Sequence, residues 1–219
     1  MVALKNSNTL AVRDLGQMAY GPAAELQRQV LEEVASGGPD TLLLVEHEPV
    51  LTLGAGFHEE NLLFTPEQYQ AKGIEVARTD RGGDVTYHGP SQLVAYPIFD
   101  LKRHGQDLHK WLRDLEEVVI VALAGFGLQG YRFPPHTGVW MNDRKICAIG
   151  IKVKRWVSMH GIALNCSNDL AAFDLIVPCG IKDHGVTSLS QELGREVCVD
   201  EAKPVLVRAF ESVFDLQLG

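Results

Sequence analysis

GVWMNDRKICAIGIKVKRWVSMHGIAL, residues 138–164, contains three strand-like runs, 138–141, 145–153 and 156–164. The turn residues Asn142-Asp143 and Lys154-Arg155 separate them. Runs joined by such short polar turns pair antiparallel, so the spacing predicts a meander. Helical patterns flank it. Upstream, Leu108, Trp111, Leu112, Leu115, Val118, Val119, Ala122 and Leu123 form one apolar face over 107–126, closed by Gly125 and Gly127. Downstream, Val205, Leu206, Ala209, Phe210, Val213 and Phe214 recur at helical spacing, with Pro204 expected near the first turn.

The first half alternates. Ala23, Leu26, Val30, Leu31 and Val34 mark an amphipathic helix entered through Gly21-Pro22 and stopped by Gly37-Gly38. TLLLVEH from Thr41 reads as a buried strand, and Thr65-Pro66-Glu67-Gln68 as a capping box opening a short helix that Gly73 ends. Strands follow at 75–79, 84–88 and 93–99. Hairpins mixed with strand-helix alternation predict an α/β (α+β) domain over 1–219, built around a mixed β-sheet flanked by helices rather than a doubly wound parallel one.

Composition narrows the function. The 219 residues are 46% hydrophobic and 22% charged, as in an ordinary folded domain, which excludes disordered and low-complexity scaffolds. The net charge of −8 argues against nucleic acid as a partner. No apolar stretch is long enough to span a bilayer and MVALKNSNTLAVRD lacks a signal core, so no membrane association and a cytoplasmic location are expected. Cys147, Cys166, Cys179 and Cys198 form no C-x-x-C pair, and no histidines form H-E-x-x-H. Free thiols are expected, and neither a metal nor a cofactor.

Three local patterns could carry chemistry. In RGGDVTYHGPSQLVAYPI (81–98), the polar residues Asp84, Thr86 and His88 share one strand face between glycine-rich turns. That pattern fits a binding cleft or a hairpin with a polar solvent face. Leu53-Gly54-Ala55-Gly56 lacks the third glycine of a dinucleotide loop and reads as a turn. In KICAIGIKV, Lys145 is the polar member of a face with Cys147, Ile149, Ile151 and Val153. A lysine at the end of a buried face loses hydration, which favours the neutral amine a base needs, although such lysines commonly reach out to water. Cys179, between Pro178 and Gly180, could be a nucleophile beside backbone donors or a packed thiol.

EHEPVLTLG (from Glu46), RGGDVTYHGPSQLVAYPI, HTGVWMNDRKICAIGIKVKRWVSMHGIALN (from His136) and IVPCGIKDHGVTSL (from Ile176) resemble, in order, the blocks of the lipoyl(octanoyl) transferase family. The resemblance implies the fold of the biotin/lipoate protein ligase catalytic domain. It also implies octanoyl transfer from octanoyl-acyl carrier protein to a lysine of lipoyl domains, those of 2-oxoacid dehydrogenases and the glycine cleavage H protein, as the first step of lipoate assembly. By that resemblance Cys179 is the thioester nucleophile and Lys145 its base. Substrate-binding residues would be Arg81, Gly82, Gly83, Asp84, Val85, Thr86, Tyr87 and His88, then Ala148, Ile149 and Gly150, then His160, Gly161, Ile162 and Ala163. Ser91 stands where the family has glycine, so the turn there departs from the pattern. The alternatives are an ATP-dependent lipoate or biotin protein ligase, and a non-enzymatic lipoyl-domain binding protein. The patch Lys152, Lys154 and Arg155 is expected to guide acidic protein substrates.

Overall fold

A computed structural model describes residues 9–177 and 184–219. Its elements run β1 (Thr9–Met18), α1 (Tyr20–Ala35), β2 (Asp40–His47), β3 (Val50–Leu53), α2 (Pro66–Ala71), β4 (Glu75–Arg78), β5 (Val85–His88) and β6 (Gln92–Ile98). They continue as α3 (Leu108–Gly125), β7 (Tyr131–Phe133), β8 (His136–Met141), β9 (Arg144–Lys154), β10 (Val157–Asn165), α4 (Leu189–Leu193), α5 (Val199–Phe214) and β11 (Gln217–Leu218). Among the described residues, no helix is long and apolar enough to cross a membrane.

The large sheet has the order β11-β1-β2-β6-β10-β9-β8-β7. It is mixed: β1 pairs parallel with β2 and β11, and the pairs from β2 through β7 are antiparallel. A parallel pair needs a crossover, which α1 supplies. The expected meander is β8, β9 and β10. Asn142 and Asp143 take the positive φ values (47° and 59°) that a two-residue hairpin loop requires. The second turn falls one residue later than expected, because Arg155 and Trp156 carry the positive φ and β10 starts at Val157.

Both faces of this sheet are covered. On one, Leu93, Ala95, Ile162 and Leu164 pack with Trp111, Leu115 and Val118 of α3 and Phe210 of α5. On the other, Val30, Leu31 and Val34 of α1 cover Leu43, Val94, Tyr96 and Ala163. A smaller sheet, β4-β3-β5, builds its own apolar cluster from Leu51, Leu53, Val85 and Tyr87 with Tyr69 of α2. Thr65 opens α2 with the predicted capping box. Pro204 lies inside α5, beyond the first turn where it was expected, and the helix continues past it to Phe214.

Candidate functional site

The loop entering β5 crosses the large sheet where strands β9 and β10 are nearly bare. Gly150 and Gly161 are directly paired, and Gly82 N donates to Ile151 O at 2.8 Å. A Cβ on Gly150 would come within 2.9 Å of Gly82 O and 3.3 Å of Arg81 Cδ. One on Gly54 would collide with the Gly83 carbonyl and approach Arg81 Nη1 at 2.9 Å. Those two glycines therefore let the loop descend. Arg81, 8% exposed, is held there by Thr52, with Nε to Oγ1 at 3.1 Å and Nη2 to the carbonyl at 2.6 Å. Asp84 ties the loop down, accepting from Val85 N at 2.7 Å and from Asn61 Nδ2 at 2.5 Å.

Beneath and beside this loop lies a cavity of about 800 Å³. Its apolar floor is a row across three strands: Val94 pairs with Ala163, Ala163 with Ala148, and all three line the space. Small side chains in adjacent strands leave a trough suited to an alkyl chain. The polar wall is buried and hydrogen-bonded. His88 Nδ1 lies 2.8 Å from Gln92 Oε1, Gln92 Nε2 donates to Asn165 Oδ1 at 2.9 Å, and Asn165 Nδ2 donates to Thr187 O at 2.9 Å. Burial pulls the His88 pKa down to about 3, with His47 and Arg81 adding to the effect, so the ring is neutral. As Gln92 presents its oxygen, His88 carries its proton on Nδ1. Burial also lowers His160, against the opposing pull of Asp80, which contacts His160 Nε2 at 2.9 Å.

Lys145 enters the same cavity from the start of β9. A β-bulge brings it there: Val139 pairs with Cys147 but Trp140 with Lys145, leaving Ile146 as the extra residue. The expected alternation fails at this point, because Lys145 lines the cavity while Cys147 is buried in the core under α3. The lysine amine sits 5.0 Å from the centre of the Trp140 ring. Its backbone is clamped by the segment that follows Cys179 in sequence: Lys145 N donates to Gly185 O and Thr187 N to Lys145 O, both at 3.0 Å. Before Cys179, Val177 N donates to the carbonyl of Asn61, another lining residue, at 2.9 Å. Cys179 itself lies outside the described residues.

Of the substrate-binding residues expected from sequence, all line this cavity except Val85 and Tyr87. Those two alternate to the other side of β5 and pack in the small sheet's apolar cluster. Tyr20, Thr52, Asn61 and Tyr96 also line it and were not singled out from the sequence: Tyr20 and Asn61 lie outside the quoted blocks, and Thr52 and Tyr96 lie within two of them with no local pattern of their own. Gly54 did leave a signal, since a glycine after a strand marks a close backbone approach as well as a turn. Among the other cysteines, Cys147 and Cys166 are buried, which raises both thiols, Cys166 to about 12. Neither suits a nucleophile. Cys198 is exposed at the start of α5 and does not line the cavity. In the proposed docking patch, Arg155 is engaged by Glu32, while Lys152 and Lys154 are exposed.

The architecture is that of the lipoate and biotin protein ligases. A solved lipoate-protein ligase A bound with ATP superposes with a TM-score of 0.78 at 17% identity, over 97% of this chain and 87% of that one. Biotin protein ligase from Aquifex aeolicus gives 0.53 at 15% identity, over 95% and 69%. A family model described as the lipoyl protein ligase A/B catalytic domain matches residues 19–211. An octanoyltransferase of Rubrobacter xylanophilus is 52% identical over 208 residues, 93% of either chain. One of Citrifermentans bemidjiense is 48% identical over 206 residues, covering 94% of this chain and 98% of the relative. The chain belongs to the lipoyl protein ligase A/B catalytic domain family, among its octanoyltransferases.

Proposed function

We propose that this chain, as one catalytic domain over 1–219, moves an octanoyl group from octanoyl-acyl carrier protein to the target lysine of a lipoyl domain in the cytoplasm, through a thioester on Cys179. The observation that carries the proposal is the position of Lys145. Lys145 lines a cavity with an apolar trough, and its backbone is held by Gly185 and Thr187, in the segment that follows Cys179 in sequence. The relatives' activity supplies the acyl group.

In the first half-reaction Lys145 Nζ takes the thiol proton of Cys179, and the thiolate attacks the thioester carbonyl carbon. Backbone N-H groups beside Cys179 hold the oxyanion. The bond to the carrier sulfur breaks, and that sulfur recovers the proton from Lys145. In the second, the acceptor's ε-amine attacks the enzyme thioester and gives its proton to Lys145. The Cys179 sulfur leaves and is reprotonated, and an amide remains. Thioester to amide runs downhill, so the chemistry needs no ATP. The trough of Val94, Ala163 and Ala148 takes the alkyl chain, and the His88 beside it is neutral.

The test is transfer from octanoyl-acyl carrier protein to an apo-lipoyl domain, followed by the mass of the acceptor in ATP-free buffer. Acylation of the acceptor is expected. Acylation that occurs only from free octanoate with ATP, accompanied by pyrophosphate exchange, would instead make the chain a ligase. Acceptors drawn from 2-oxoacid dehydrogenases and the glycine cleavage H protein read its partner range.

A further inference from the structure

Glu116 lies in mid α3 with its side chain 1% exposed, among the apolar residues that pack on the sheet. A carboxylate taken out of water needs strong partners. Oε2 has two at the rim, Arg113 Nη1 at 2.6 Å and Arg132 Nε at 3.2 Å, with side chains 53% and 33% exposed. Arg132 has another carboxylate available, Glu117 at 2.6 Å, so that pairing does not itself require a buried acid. Oε1 does something the rim cannot do: it accepts from the backbone N-H of Gly138 at 3.1 Å.

Gly138 adjoins the bulge that turns Lys145 into the cavity. Its φ is +118°, and a Cβ there would stand 2.5 Å from the Cys147 carbonyl oxygen. The same missing side chain leaves the space beside which the Lys145 stem passes, with Cε 3.6 Å from that Cβ position. One residue on, Val139 and Trp140 pair with Cys147 and Lys145 across the bulge. Glu116 Oε1 thus fixes the peptide that borders both the bulge and the lysine stem. We infer that Glu116 is a positioning residue for Lys145, an inference that rests on Lys145 acting as the base.

Two conservative variants separate this role from a role in stability alone. Glu116→Gln keeps an oxygen for Gly138 N-H and loses the ion pairs. Glu116→Asp keeps the charge for the partly exposed arginines and withdraws the acceptor from Gly138. In the ATP-free transfer assay on the full chain, Glu116→Asp is expected to lower kcat about tenfold with KM for the octanoyl donor within about twofold. Glu116→Gln is expected to stay within about threefold of wild-type kcat while its melting temperature falls. Lys145→Ala, assayed in parallel, is expected to be inactive. The reverse order, with the Asp variant at wild-type kcat and the Gln variant impaired, would reduce Glu116 to an anchor for the arginines. Wild-type turnover by Lys145→Ala would instead remove the base, and the inference with it.

Discussion

Lys145 and Trp140 stand directly opposite one another on β9 and β8, with the amine 5.0 Å from the centre of the indole ring. Trp140 is 1% exposed, and among the described residues its Nε1 has no hydrogen-bond partner, while its ring packs against Phe133, His136 and His184. An indole face stabilises a cation by about 0.5–2 kcal/mol, which would favour the ammonium formed in the proposed proton transfer from the thiol. Replacing Trp140 by Leu removes the platform and is expected to lower kcat for transfer about tenfold, with a smaller change in KM. Trp140→Phe keeps an aromatic face, abandons no hydrogen bond to a described residue, and should remain within about threefold. Steady-state kinetics on both variants read this; Trp140→Leu at wild-type kcat would contradict it.

The covering loop depends on a missing side chain. Gly150→Ala would put a methyl group 2.9 Å from Gly82 O, so the loop carrying Arg81 must lift. Overpacking of this kind costs about 1–3 kcal/mol. Loss of stability by chemical denaturation and a raised KM for the octanoyl donor are expected together. An unchanged KM would mean that the loop does not form the substrate wall.

Acid should act through His88. Folding holds its pKa at about 3 against an ordinary value of 6.5. Below 6.5 the unfolded chain therefore takes up a proton that the folded chain refuses. Its contribution to stability is complete above that value and falls by about 1.4 kcal/mol per pH unit on acidification, until the folded ring titrates as well. His47 and His160, both lowered mainly by burial, act in the same direction. Unfolding free energies for wild type and His88→Gln between pH 7 and 5 should diverge most at pH 7, the variant losing less on acidification. Parallel curves would place the His88 proton elsewhere.

Ser91 takes a φ of +63° where related chains are expected to carry glycine. Its backbone is fixed by Glu46, which accepts from Ser91 N at 2.9 Å, and by Ser167 N, which donates to Ser91 O at 3.1 Å. A left-handed residue with a side chain costs about 1–2 kcal/mol, partly offset by the extra freedom glycine gives the unfolded chain. Ser91→Gly should therefore raise stability by up to about 1 kcal/mol and leave transfer unchanged. A destabilised variant would show that the Ser91 hydroxyl is needed.

Much of this site could be read before any coordinates, for local reasons. Thr86 and His88 alternate along β5, with Asp84 just before it, and alternation fixes a face once the strand is recognised. The apolar stripes of α1 and α3 and the capping box at Thr65 likewise depend only on neighbours in sequence. What the sequence hid is long-range. The bulge at Ile146 sends Lys145 and Cys147 different ways and depends on pairing with β8, which no count along β9 reveals. Tyr20, Thr52 and Tyr96 reach the cavity from α1, β3 and β6 only once the sheets have assembled. Val85 and Tyr87 were drawn into the expected binding segment by the contiguous motif, and β5 separates them from it.

The central claim is that the octanoyl group rests on the Cys179 sulfur. Its most direct measurement is intact and peptide mass spectrometry of the enzyme after exposure to octanoyl-acyl carrier protein without acceptor. One octanoyl group is expected, hydroxylamine-labile, on the peptide holding Cys179, missing from Cys179→Ala and discharged by adding a lipoyl domain. A wild-type enzyme that transfers the acyl group while that peptide stays unmodified, or a Cys179→Ala enzyme that transfers at the wild-type rate, would contradict it.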